Sequence, residues 1–336
     1  MFPLKRVPAG KLIKEQGSQY VWIPRYSYRI TTQNGYNQDV DSWNAVEGTS
    51  KSGKVEIIFS KNTDDTVTST TGLSKDGYIA HPAFNFGTDK LTGIWVAKYE
   101  ASRNDAKIDS VGVGTTVSSK PGVKSWVSMT LSDMFNYAYN LDRELESHMM
   151  KNTEWGAVAY LTNAIGKIPY INNYYASSSP YAVTGYAGKT QDESYVSGNA
   201  NSYLWNSANG VKASTTHNVY GIYDMSGGAY EYVAAYLSGA SGSYVTNLVN
   251  AAAKYKDVYT SEYSNEIKGD AVLETSSSSS GSTSWDGDCS YAPASSFPVF
   301  GRGGSYNSGS IAGVFCFSSL GLGGSGTGFR VVLAIP

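Results

Sequence analysis

Charge is scarce in this chain. Only 16% of its 336 residues are Asp, Glu, Lys or Arg, against the quarter or so usual in a globular protein. The net charge of −2 leaves no basic footprint for nucleic acid or an anionic membrane surface. Cysteine is scarcer still: Cys289 and Cys316 permit at most one bridge, which is no disulfide framework. No apolar run approaches the roughly 20 residues of a membrane-spanning helix. The opening MFPLKRVPAGKLIKEQ is basic but lacks the apolar stretch of a secretory signal. Synthesis in the cytosol is therefore expected, with carriage on a phage particle left open as a route outward. Glycine (36) and tyrosine (27) are plentiful, set among Ser, Thr and Asn. Ser, Asn and Gly favour turns and caps over long helices, which predicts a loop-rich fold.

Periodicity supplies few regular elements. SQYVWIPRYSYRITT at 18–32, VEIIFS at 55–60 and GIWVAKYEAS at 93–102 read as strands. Between the first two, QNGYNQDVDSWNAVEGTSKSG reads as an exposed loop. Thr130 with Asp133 forms a cap for a helix whose apolar face is Leu131, Met134, Ala138, Leu141 and Leu145. A second helix is expected over 154–161, capped by Thr153. Residues 103–127 and 163–218 read as loops, and ETSSSSSGSTS at 274–284 as a mobile surface loop. Strand and helix patterns do not alternate, so the fold class is α+β rather than α/β. The division expected is a small β-rich region over 1–90, for attachment or assembly, and a main domain over 91–336.

Four segments carry a family likeness. KNTEWGAVAYL (151–161), NVYGIYDMSGGAYEYV (218–233), RGGSY (302–306) and GFRVVL (328–333) resemble, in order and spacing, the signature elements of formylglycine-generating-enzyme-like domains. The resemblance spans about 91–336 and implies a C-type-lectin-like fold with sparse regular structure. The residues also make sense as scaffold. Gly227 and Gly228 allow a tight turn with positive φ. Glu231, between two tyrosines, is a candidate buried carboxylate. Arg302, Gly303 and Gly304 open the C-terminal segment and Gly328, Phe329 and Arg330 close it. Each arginine has five donors with which to tie loop carbonyls.

Enzymes of that family oxidise cysteine with copper held by closely spaced cysteines, and sulfur-chemistry relatives use iron held by histidines. Here the cysteines are 27 positions apart, and His81, His148 and His217 make no close-spaced ligand motif. A strand-edge or loop place is expected for His81, a helix face for His148 and a loop for His217. Asp286 and Asp288 in WDGDC read as a turn. GLGGSGTG at 321–328 lacks the strand–turn–helix setting of a dinucleotide site. No catalytic residue, metal ligand or cofactor is therefore expected. Ca²⁺ is left open, because the family holds it near the Gly-Asn-x-Trp-Glu element, but Gly228 here replaces the Asn.

Between its closing elements the chain reads SYNSGSIAGVFCFSSLGLGGSGT. Ala312, Gly313, Val314 and Phe315 read as a buried strand. The rest scatters large residues among Ser and Gly without a folding period, and its residue types are those reached from an asparagine codon by changing its adenines. This segment, about 302–330, resembles the variable region of diversity-generating retroelement target proteins. That resemblance implies a hypervariable binding surface on a lectin-like scaffold, as in phage or prophage receptor-binding proteins and adhesins. Its candidate contacts are Tyr306, Asn307, Ser308, Ser310 and Ile311 before the strand. After it come Cys316, Ser318, Ser319, Leu320, Leu322, Ser325 and Thr327. Tyr with Ser and Gly is also the composition of antibody loops, where Tyr gives large contact at low entropy cost. YVWIPRYSYRI and GYIAHPAFNF resemble segments that precede such domains in phage-like proteins. The partner implied is a variable protein or cell-surface ligand, with a homo-oligomer left open. The alternative is a metal-dependent oxidase of the formylglycine-generating or iron-dependent sulfoxide synthase type.

Overall fold

A computed structural model describes residues 17–31, 53–65, 78–175, 181–188, 202–260, 267–321 and 326–335. The expected loop at 33–53 therefore lies almost wholly outside the described residues. The first expected strand is two. Tyr20–Pro24 (β1) and Tyr26–Thr31 (β2) part at Arg25 and enter different sheets. Proline has no N–H to continue a ladder. Arg25 then turns inward, 1% exposed, and donates to Phe84 O at 2.7 Å and to Asp65 at 2.6 Å.

β2 lies between Lys54–Phe59 (β3) and Ile79–Ala80 (β4), both antiparallel to it. Asn85–Phe86 (β5) and Asp89–Lys90 (β6) make a short hairpin. β1 pairs with Gly93–Ala97 (β7), which pairs in turn with the C-terminal strand Val331–Leu333. Ser102–Arg103 (β8) and Val117–Ser118 (β9) join in the region expected as loop. Next come helix Leu131–Tyr139 (α1), strand His148–Met149 (β10) and helix Asn152–Ala164 (α2). Thr130 caps α1 as expected, its Oγ1 accepting from Asp133 N at 3.1 Å. Leu141 and Leu145 fall beyond the end of that helix but still pack on the core.

α2 begins two residues before the expected start, and its cap is Lys151, not Thr153. Glu154 reaches back to accept from Lys151 N at 2.8 Å, while Thr153 N donates to Asp257 Oδ2 at 2.8 Å. Residues 152–162 are all buried, so this is a central helix rather than a surface one.

The second half of the chain supplies Tyr230–Leu237 (β11), helix Thr246–Asn250 (α3), Asp257–Tyr259 (β12), Val299–Gly303 (β13), Gly313–Leu320 (β14), Thr327–Phe329 (β15) and Val331–Leu333 (β16). Their sheet runs β12-β11-β13-β14, with β15 also beside β11. β12 and β14 thus lie at opposite edges.

The protein is α+β, strand-rich and loop-rich, with few helices. No helix among the described residues is long and apolar enough to cross a membrane. The expected division at residue 90 does not separate two cores. Ile23, Tyr26, Tyr28 and Val55 share one apolar cluster with Trp155, Phe317 and Val332, and Tyr26 donates to Ala157 O at 2.7 Å. The serine-rich stretch 274–284 is exposed at Ser279, Ser280 and Ser282, as expected of a surface loop, and is anchored at its two ends. Ser276 bridges Ser284, both are buried, and Ser284 Oγ donates to Phe315 O at 2.9 Å.

Candidate functional site

The two arginines that bracket the C-terminal segment are wholly buried. Arg302 donates to Asn152 Oδ1, Asp270 O, Ala271 O and Val314 O at 3.1–3.4 Å. Arg330 donates to Ala97 O at 2.8 Å and Tyr223 O at 2.9 Å, and grips Glu231 through two contacts of 3.0 and 2.5 Å. Glu231 is buried, as its place between tyrosines suggested. Burial pushes its carboxyl up to about 7, against the pull of Arg330. Gly303, Gly304, Gly328 and Phe329 are buried beside these arginines.

β14 is fastened along its first half. Trp155 Nε1 of α2 donates to Val314 O at 2.8 Å, and Phe315 N donates to Asp288 Oδ2 at 2.8 Å. Asp288 fits there because residue 313 is glycine: a Cβ at Gly313 would stand 2.1 Å from both of its carboxylate oxygens. Asp286 and Asp288 do form the expected turn, Trp285–Gly287 being a single 3₁₀ turn.

Of the twelve candidate contacts, Asn307 and Ser310 are exposed, and Tyr306, Ser308, Ile311, Ser318, Ser319 and Leu320 are half-buried. Leu322 and Ser325 lie outside the described residues. Two are corrected. Cys316 is fully buried and joined to Cys289 in a disulfide. Strand alternation turns it away from Phe315 and Phe317, but the segment around Cys289 closes that side: Phe317 N donates to Cys289 O at 2.9 Å. Thr327 is 5% exposed because it lies in β15, paired with Tyr230 of β11.

The fold also brings up aromatic residues that the sequence reading missed. Tyr175 stacks on Tyr306 at 5.0 Å, and Tyr181 packs against the same small apolar cluster as Tyr306. At the other end Phe297, 49% exposed, rests against Gly321, and Tyr291, 43% exposed, donates its N–H to Phe317 O. The only signal for the first pair is the repeated tyrosine of INNYYASSSPYAV (171–183), which no spacing connects to Tyr306.

The histidines occupy three separate settings. His81 lies in the loop that follows β4, one of its two expected places. It is buried among Tyr26, Tyr28, Phe84 and Tyr160, accepts from Ala83 N at 3.3 Å, and burial lowers it to about 3. His148 is on strand β10 rather than a helix face, with Nε2 2.9 Å from Glu154 Oε1 and Nδ1 2.7 Å from Glu146 O. His217 is in a loop, with Nε2 2.9 Å from Ile168 O.

Around Gly228, where the family resemblance suggested Ca²⁺, three of the four carboxylate oxygens of Asp224 and Glu100 have protein donors, and Glu100 Oε1, which faces Gly228, has none among the described residues. Asp224 Oδ1 accepts from Gly185 N at 2.7 Å and Asn172 Nδ2 at 2.8 Å, and Glu100 Oε2 accepts from Ala229 N at 3.1 Å. Burial, with Asp224 and Glu231 adding to it, raises the Glu100 carboxyl well above its usual range. Among the described residues no group of three or more His, Cys, Asp or Glu is placed to hold a metal ion. Comparison with protein-family models and with curated proteins gives no match.

Proposed function

We propose that this chain is a ligand-binding display protein: a C-type-lectin-like scaffold of the formylglycine-generating-enzyme type that presents a hypervariable C-terminal surface. In this reading it serves as a receptor-binding protein or adhesin of a phage or prophage, diversified by a retroelement, and catalyses no reaction. One observation carries it. The bracketing arginines are fully buried and tied to backbone carbonyls, while Asn307 and Ser310 between them are exposed and Tyr306, Ile311, Ser319 and Leu320 half-exposed. Of these, Leu320 packs on the edge of the main core and Tyr306 on a small satellite cluster, so a change at either removes a partial contact and not a fully buried one. The flanking Tyr175, Tyr181, Tyr291 and Phe297 would give a constant aromatic rim to a changing centre.

The oxidase alternative would recruit thiol or imidazole ligands. Both thiols are spent in one disulfide, and the three histidines have different neighbours. The test is a binding screen over cell-surface proteins and glycans. It compares the native chain with one in which Tyr306, Asn307, Ser310, Ile311, Ser319 and Leu320 are all Ser or Gly. Loss of the native hits with the fold intact is expected; an unchanged hit profile would move the contact surface elsewhere.

A further inference from the structure

At the sheet edge opposite β14 lies a groove of about 600 Å³. Four stretches of chain converge on it: 79–87, the start of α2, 253–258 including β12, and 267–268. Its apolar lining includes Ile79, Pro82, Val258 and Ile267. Among the described residues its charged lining is Lys151, Lys254, Lys256 and Lys268 with one acid, Asp257. Glu154, 3.6 Å from Lys151, and Glu146, 2.9 Å from Lys254, offset part of this charge; with them counted, four lysines face three carboxylates among the described residues.

The lysines are also held in place. Lys254 and Lys151 lie 4.8 and 5.6 Å from the Phe86 ring centre, so one aromatic ring positions two ammonium groups. Lys254 also donates to Glu146 at 2.9 Å, and Lys256 to Val249 O at 2.5 Å. Three of the four are half-buried and Lys151 is buried, so their side-chain entropy is already partly lost before a ligand arrives. Asp257 is committed to the α2 N-terminus through Thr153 N.

We infer that this groove binds an oxyanion of the sulfate or phosphate kind, borne on a ligand whose uncharged body lies along the apolar lining. It would be a second binding site, separate in the sheet from the C-terminal surface and independent of whether that surface is diversified.

The experiment is calorimetric titration of the full chain at fixed ionic strength, with chloride as the control because salt alone screens lysines. Inorganic sulfate, inorganic phosphate and a sulfated oligosaccharide are the three probes. Saturable binding of at least one is expected, and the tightest names the form in which the anion is carried. Lys256→Gln with Lys268→Gln should weaken it roughly tenfold, since charge-assisted hydrogen bonds are the strong ones. Asp257→Asn keeps an oxygen for Thr153 N–H while removing the opposing charge, and should tighten binding about threefold or more. This gain cannot be mistaken for misfolding. No saturable binding beyond chloride, or binding that neither change moves in its stated direction, would overturn the inference.

Discussion

The two halves of β14 differ more than its regular backbone suggests. Phe315, Cys316 and Phe317 are at most 1% exposed, and the half they belong to is fastened by Trp155, Asp288 and the disulfide. Ser318, Ser319 and Leu320 continue the same ladder against β13 yet remain half-exposed. Backbone pairing is thus shared by both halves, and only the first also has its side chains enclosed. Freedom to vary follows side-chain enclosure and not membership of a strand or a loop.

The sharpest way to break this contrast is at the bracket itself. Arg330→Met leaves the Glu231 carboxylate buried without its partner and should cost about 3–5 kcal/mol in urea unfolding, whereas replacing both residues by apolar ones should restore much of the loss. Next, Phe317→Ala should cost about 3–5 kcal/mol, while Leu320→Ala, three residues along the strand, should cost clearly less. Similar losses at both positions would erase the distinction between the halves. Replacing Cys289 and Cys316 together by Ser should cost about 3.5 kcal/mol, the chain-entropy value for a loop of this length.

A smaller effect concerns pH. Burial raises Glu274 to about 7, with Asp270 adding to it, while Tyr28 and Tyr160 hydroxyls and Gly269 N donate to it. Its folded value lies above its unfolded one, so the folded state holds this proton more tightly. The stabilisation is complete below about 4.5 and lost as pH rises through about 7. Urea midpoints should therefore fall between pH 5 and pH 8, and Glu274→Gln should flatten that fall by an amount on the order of 2 kcal/mol. An equal slope in the variant would remove Glu274 as the cause.

Much of the local structure was legible because it is set by neighbours in sequence. The Thr130 cap, the strand expected at 55–60 and found at Lys54–Phe59, the first half of the one expected at 93–102 and found at Gly93–Ala97, the positive φ at Gly227 and Gly228, and the buried Glu231 all follow from residues within a few positions. What escaped is non-local. Cys316 alternates outward from its strand, and only the return of the chain at 289–291 encloses it. Arg25 splits an apparently continuous strand because its acceptors, Phe84 O and Asp65, are 40 or more residues away. Thr153 was the natural cap by residue type, but its N–H is satisfied by Asp257 of β12, 104 residues away, and Lys151 stands at the cap. Tyr175 meets Tyr306 across more than a hundred residues, and the groove lysines come from separate stretches. The bracket was readable as bracket because arginine and glycine there have few other uses; the rim around it was not.

A library randomised at Tyr306, Asn307, Ser310, Ile311, Ser319 and Leu320, sorted first for thermal stability and then for ligand capture, puts the central claim to its most direct test. Most members should stay folded, with losses smaller than that of a core change such as Phe317→Ala, since none of the six positions is fully buried, and they should differ in what they capture. Widespread unfolding, or one common capture profile across stable members, would contradict the account.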